Sequence, residues 1–306
     1  MTRPAIQLYT LRDLDESVPE LVRRVAAAGF EGVEFATRVA DADPAAVADA
    51  LDDTGVTPVG AHVDLRTIEA DPAGVAERYR ALGVDRLVVP HLPPTHYRTP
   101  GRVDELAARL DAVGGALAAR GTSLVYHNQV HDFLPVRTPS RLERALTAVH
   151  PHSPGASRPQ TALGLLGDRL LRERPRPSPA SAVESTAFGR LVARTDPAVV
   201  SFEVDVGGVT AAGYDPRDAL ALVDGRTALV HLKDVVVDGE PSPWASARSV
   251  DPGDGLVDVP SAVGAANGAG AEWLVFEHDH PADPIRTLRA GADVLVDATD
   301  AAPSND

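Results

Sequence analysis

Eight short apolar runs of β type alternate with amphipathic helical segments from one end of this chain to the other. The runs are Ala5–Tyr9, Gly32–Ala36, Thr57–His62, Arg86–His91, Ser123–Asn128, Val199–Val206, Thr227–Lys233 and Glu272–His278. The intervening segments announce their own boundaries. Four open on an Asp-Pro pair (Asp43-Pro44, Asp71-Pro72, Asp215-Pro216, Asp283-Pro284). Aspartate accepts the orphan N–H groups of a first helical turn, and proline there has no N–H to lose. Several close on a glycine (Gly29, Gly55, Gly83, Gly270), the residue that most readily takes the left-handed conformation ending a helix. Strand and helix alternating in this way require parallel strands with helical crossovers, and eight units make a closed (β/α)8 TIM barrel the expected architecture. An open doubly wound sheet is disfavoured. No glycine-rich turn follows the first run, which continues as Gln7-Leu8-Tyr9-Thr10-Leu11-Arg12, and no phosphate-loop motif occurs.

A long insertion between strands 5 and 6 breaks the rhythm, over 135–183. It is rich in Pro, Ser and Arg, with eight arginines against Glu143, Asp168 and Glu173. Three readings stand open for it: a tolerated surface insertion, a cover over the site, or a contact in a homodimer. The remainder reads as one domain over 1–298, with a frayed tail at 299–306.

The charge balance excludes some functions. Acids number 44 and bases 29, for a net charge of −15, which argues against a nucleic-acid partner. Of the bases, 28 are arginine and one is lysine, Lys233. An acidic, lysine-poor surface suits a salt-loving organism, a halophilic archaeon in this reading, and a GC-rich genome is the competing explanation. No run approaches the roughly 18 apolar residues of a membrane span, and MTRPAIQLYTLRD has no apolar signal core, so a cytoplasmic location away from membranes is expected. The absence of cysteine removes thiolate ligands and thiol nucleophiles.

In a barrel, chemistry gathers at the carboxyl ends of the strands. Those ends carry His62, His91, Tyr126-His127-Asn128, Glu203-Val204-Asp205, His231-Leu232-Lys233-Asp234 and Glu277-His278-Asp279. Five of the ten histidines fall there with carboxylates from three strands. Imidazole plus carboxylate without thiolate suits a divalent ion, with Mn2+ first and Zn2+, Co2+, Fe2+ or Mg2+ as alternatives. Asp205, His231 and Glu277 each end a different late strand, and His127 completes a candidate metal shell. His62, His91, Asn128 and Trp244 are candidate substrate contacts. Glu34, Glu203 and Asp234 are candidate partners that orient ligands from behind. Trp273 reads as structural.

The chain resembles the sugar phosphate isomerase/epimerase family, the xylose-isomerase-like TIM barrels. The resemblance rests on Ile6-Gln7-Leu8-Tyr9-Thr10, Gly29-Phe30-Glu31-Gly32-Val33-Glu34-Phe35, Tyr126-His127-Asn128, Phe202-Glu203-Val204-Asp205-Val206-Gly207, His231-Leu232-Lys233-Asp234, Gly253-Asp254-Gly255 and Val275-Phe276-Glu277-His278-Asp279. It implies a divalent metal at the barrel mouth on Asp205, His231 and Glu277, with His127 at the strand-5 position where many members carry glutamate. It also implies a carbohydrate substrate (a sugar, polyol or keto-sugar) and isomerisation or epimerisation by proton transfer next to a metal-bound carbonyl. Glu277, His127 and Lys233 are then the catalytic candidates. A lyase or dehydratase running through the same enolate is the runner-up, in the manner of inosose dehydratases or of elimination from 3-keto-glycosides. A non-catalytic sugar-binding or scaffold barrel is the rival from another class.

The acidic surface generates a first prediction. Its self-repulsion is screened as the Debye length falls to about 3 Å at 1 M salt, so the melting temperature should climb from dilute buffer to molar KCl. A flat profile would leave genome composition as the explanation.

Overall fold

All four Asp-Pro pairs start helices. Asp43 accepts from the Ala45 N–H, Asp71 from Gly74, Asp215 from Arg217, and Asp283 from Ile285 and Arg286. The helices they open are Pro44–Thr54, Pro72–Arg80, Pro216–Leu222 and Pro284–Asp300. Gly29, Gly55, Gly83 and Gly270 follow helices with φ between 70° and 98°, a region that costs most other residues strain. These local signals set the spacing of a closed parallel barrel in a computed structural model that describes residues 2–36, 38–136 and 183–300.

The barrel strands are β1 (Arg3–Gln7), β2 (Gly32–Phe35), β3 (Thr57–His62), β4 (Arg86–Val89), β5 (Ser123–His127), β6 (Val200–Asp205), β7 (Thr227–Leu232) and β10 (Trp273–Phe276). They pair in sequence around the ring, and β1 closes it on β10 with Ala5 opposite Val275. All eight runs expected from the sequence are therefore strands. The first is shifted, because the Gln7 side chain accepts from the Tyr9 N–H and turns the chain into a short 3-10 helix over Leu8–Leu11.

Two features did not show in the rhythm. The chain after β7 forms an antiparallel ribbon of β8 (Asp234–Val237) and β9 (Ala247–Val250). After β6 it turns at once into a helix over Val206–Ala211, capped by Asp205. At the insertion, Pro135 pairs with Thr186. The readings offered for 135–183 concern 137–182, which lie outside the described residues.

Strand periodicity divides the side chains between two cores. One face of each strand packs outward under the helices, for example Ile6, Val33, Phe35, Tyr126, Phe202, Val230, Leu232 and Phe276. The other face fills the barrel with Ala5, Val59, Val88, Val125, Leu229, Trp273 and Val275. Trp273 is structural, as its sequence setting suggested: it sits inside the barrel with the Arg3 guanidinium 4.2 Å from its ring centre. Room for the indole comes from Gly32. A Cβ there would lie 2.7 Å from both Trp273 and Val59 and 2.9 Å from Ala5. Gly32→Val is thus expected to overpack the barrel and lower stability by about 1–3 kcal/mol, measured by urea unfolding. Wild-type stability would show that the interior yields more readily than this packing suggests.

Candidate functional site

The apolar fill ends near the carboxyl ends of the strands, and on seven of the eight, β4 with Pro90 being the exception, the next inward position is polar. Beyond Ala5 comes Gln7, beyond Val125 comes His127, beyond Leu229 comes His231 and beyond Val275 comes Glu277, with Glu34, His62 and Glu203 on β2, β3 and β6. One inward step further lie Asp205, Lys233 and Asp279. Gly60 leaves space for this layer, since a Cβ on it would come within 3.1 Å of Glu34 Oε1.

The groups form one continuous buried network. His231 is its hub. Its Nε2 lies 2.8 Å from Glu34 Oε2 and 3.1 Å from Glu203 Oε1, and its Nδ1 lies 3.0 Å from Glu277 Oε2. Gln7 Nε2 donates to Glu34 Oε2 at 2.7 Å. His127 Nδ1 is 2.8 Å from Glu203 Oε2, and its Nε2 points to Asp205 Oδ2 at 3.9 Å. His62 Nε2 approaches Glu203 Oε2 at 3.2 Å and Glu34 Oε2 at 3.3 Å. Lys233 Nζ meets Glu277 Oε2 at 2.8 Å, Asp205 Oδ2 at 3.0 Å and Asp279 Oδ2 at 3.4 Å.

Burial works against every charge here, and the partners overcome it. Desolvation alone would lower the His62 pKa, yet the Glu34 charge and the bond to Glu203 raise it to about 10. His231 is likewise raised well above its ordinary value against burial, by Glu203, Glu34 and Glu277. Lys233 is raised well above the usual lysine range against burial by Asp205, Glu277 and Asp279. Burial pushes Glu203 and Glu277 upward, but His231 and the other imidazoles hold Glu203 well below the carboxylate range, as Lys233 and His231 do for Glu277.

The network opens into a cavity of about 410 Å3, lined by His62, His91, His127, Lys233 and Glu277 together with Tyr9, Asp64, Gln129 and Asp279. A wider groove of about 610 Å3 lies on the outer wall, between helix Val18–Ala27 and helix Pro284–Asp300, and includes none of these residues.

Two overlapping groups of donors are placed to hold a cation. His127, Asp205 and Glu277 have ligand atoms within 4.8 Å of one another, and so do His62, His127, Glu203 and His231. Imidazole with carboxylate in each group fits a borderline divalent ion. Glu203 Oε1 is buried, and its close polar neighbour is His231 Nε2 at 3.1 Å. The expected shell of His127, Asp205, His231 and Glu277 is thus split. His231 falls in the second group, with both ring nitrogens facing carboxylates.

Other candidates are placed differently from expectation. Asn128 is buried and clamps Asp205 through its backbone, with Oδ1 accepting from the Asp205 N–H at 3.0 Å and Nδ2 donating to the Asp205 carbonyl at 3.3 Å; it is not among the cavity residues. Trp244, expected in the cavity, packs instead against the outer core, because the β8–β9 ribbon carries it away. Asp234 touches no candidate ligand and gathers backbone N–H groups of its own loop. Glu34 approaches His62 and His231, and Glu203 approaches His62, His127 and His231. Sequence reasoning passed over Gln7, Tyr9, Asp64, Gln129 and Asp279. Gln7 and Asp279 carried a signal, each lying two residues beyond an inward-facing neighbour.

No protein-family model matches the sequence, and no curated protein matches it. Solved structures do. The chain is similar to a sugar phosphate isomerase/epimerase from Parabacteroides distasonis, at 16% identity over 99% of both chains with a TM-score of 0.70. It is similar to the IOLI protein with a binding zinc atom, at 14% identity over 99% of this chain and 100% of that one, with a TM-score of 0.69. It is also similar to the probable 3-DHS dehydratase of Bacillus anthracis, at 12% identity over 96% and 99%, with a TM-score of 0.66. At these identities the likeness is one of fold, the (β/α)8 TIM barrel. Among the described residues no helix is long and apolar enough to cross a membrane.

The two donor groups generate a prediction. In titrations with Mn2+ or Zn2+ followed by metal analysis, His127→Ala should lose binding whichever group is used. Loss in Asp205→Ala with retention in His62→Ala assigns the ion to the group nearer the mouth, the expected result. The reverse pattern assigns it to the deeper group.

Proposed function

We propose that this protein is a metal-dependent isomerase or epimerase of a sugar, polyol or keto-sugar, working by proton transfer next to a carbonyl. One observation carries the reading. An imidazole, two carboxylates and an ammonium converge where the barrel interior opens into a polar cavity. The barrels it resembles in fold include an isomerase/epimerase by name and one with a zinc atom.

His127, Asp205 and Glu277 would hold a divalent ion, which when bound polarises the substrate carbonyl and acidifies the neighbouring C–H. The protein residues divide the remaining work. Both cations that touch Glu277, His231 and Lys233, bind its Oε2. That leaves Oε1 to take the proton from carbon and return it where His127 and Asp205 carry the ion, and His127 is the second candidate for that role where Asp205 and Glu277 carry it. The Lys233 ammonium, held protonated by its carboxylates, donates to the oxygen on which negative charge develops. Gln7, Glu34 and Glu203 fix His231 and His127 from below. The same enolate can expel a β-substituent, and the likeness to the 3-DHS dehydratase favours this elimination as the second reading.

The test is deuterium exchange. The metal-reconstituted protein is incubated with keto-sugars and inososes in deuterated water, and the products are read by NMR. Deuterium at one carbon without loss of water supports isomerase or epimerase chemistry, an unsaturated product supports elimination, and no exchange with any substrate would leave a binding or scaffold barrel. Lys233→Met is expected to lower turnover by about 10²–10³-fold and to destabilise the metal-free protein, because three carboxylates lose their shared cation. Lys233→Arg should not restore turnover, since a planar fork does not replace a point-like ammonium. Wild-type turnover in Lys233→Met would remove the ammonium from the chemistry.

A further inference from the structure

Where TIM barrels bind phosphate, they commonly do so in the loops after strands 7 and 8, through backbone N–H groups. The loop after β7 has such a cradle, and the chain fills it with its own anion. Asp234 Oδ1 accepts from the Val235 and Val257 N–H groups at 2.8 and 3.0 Å, and Oδ2 from Gly253 and Gly255 at 2.8 and 2.9 Å. Asp234 is 2% exposed. Gly253 adopts φ 94°, and any Cβ on Gly255 would collide with the Asp234 carboxylate. Glycine at both positions therefore shapes the loop around that side chain.

The other helix starts nearby also carry acids. The helix after β6 begins at Asp205, whose Oδ1 takes the Gly208 N–H. The helix over Leu65–Ala70 is preceded by Asp64, which lines the cavity. Among the described lining residues there is no arginine, and the two cations, Lys233 and His62, already face carboxylates, three and two of them. Arg12 is nearby but stacks on Tyr9 and bonds the Tyr9 carbonyl and His280. A divalent ion on His127, Asp205 and Glu277 would be balanced by the two carboxylates that hold it. The cavity wall instead offers acceptors, the carboxylates of Asp64 and Asp279 and the Gln129 side chain, which suit hydroxyl donors.

We infer that the substrate is an unphosphorylated, uncharged polyhydroxy carbonyl compound, and that Asp234, by occupying the backbone cradle after β7, is one reason a phosphate ester is refused. The inference rests on the function proposed above and narrows its substrate class. A phosphate monoester would bring a charge of about −1.5 to −2 against Asp64 and Asp279, and among the described residues no free donor cradle receives it.

The experiment compares matched pairs, D-fructose with D-fructose 6-phosphate and D-xylulose with D-xylulose 5-phosphate, alongside a free inosose. Each is incubated with the metal-reconstituted full-length protein in deuterated water. Deuterium uptake in a free compound at least about 100-fold faster than in its phosphate ester is expected. Uptake in the esters as fast or faster overturns the inference and leaves the proposed chemistry standing. Uptake in none overturns the proposed chemistry, and the substrate assignment falls with it. Inorganic phosphate gives a readout independent of turnover. Calorimetry should find no saturable binding to the wild-type protein, and saturable binding would overturn the inference. Asp234→Ala frees four N–H groups and should gain phosphate affinity. If that variant melts like wild type without such a gain, Asp234 does not guard an anion cradle; if it fails to fold, the wild-type comparisons decide.

Discussion

Four carboxylates, Glu34, Glu203, Asp205 and Glu277, are buried at one end of a barrel, and everything at the mouth depends on how their charge is balanced. Isolated carboxylates in such a setting would take up protons. Here they share His231, His62 and Lys233, and because each cation touches more than one acid, no pair can be removed without exposing another. A buried ion pair is weak evidence for stability, since desolvation consumes much of its gain. Its consequence here is positional: acids and cations lock one another into fixed orientations before any substrate arrives.

That rigidity has a steric foundation. The polar layer stands on a plug of Ala5, Val59, Val88, Val125, Leu229, Trp273 and Val275, which excludes water from below and keeps the electrostatics strong. Glycines at 32 and 60 set the sizes of the two layers, one by admitting an indole and the other by admitting a carboxylate. Asn128 and Asp234 do related work at the strand ends. Each is a polar side chain whose partners are mainly backbone atoms, and each fixes the course of the chain rather than meeting a ligand.

The barrel was legible in the sequence because its signals are local. Asp-Pro starts, glycine stops and apolar runs each report on a few neighbouring residues, and together they gave all eight strands. The β8–β9 ribbon was not legible because its strands are short and its partner lies within the same loop. The inward face was legible wherever the two-residue alternation could be followed past a strand end, as at His127, Glu203, Asp205, His231, Lys233 and Glu277. It failed at Trp244 and Asn128, where the loop path decides direction and periodicity carries no information.

Lys233 also has a practical side. It is the chain's one lysine and is 8% exposed. Reagents that modify amines therefore meet a single ε-amino group, and it lies at the centre of the site. Because that amine is buried and held protonated by three carboxylates, carbon-13 lysine supplied during growth, rather than chemical methylation, would place the chain's one set of lysine side-chain NMR signals there. Amine cross-linkers and lysine-specific proteases, by the same token, find almost nothing on this surface. A residue that the rest of the sequence avoids becomes a spectroscopic window onto the barrel mouth.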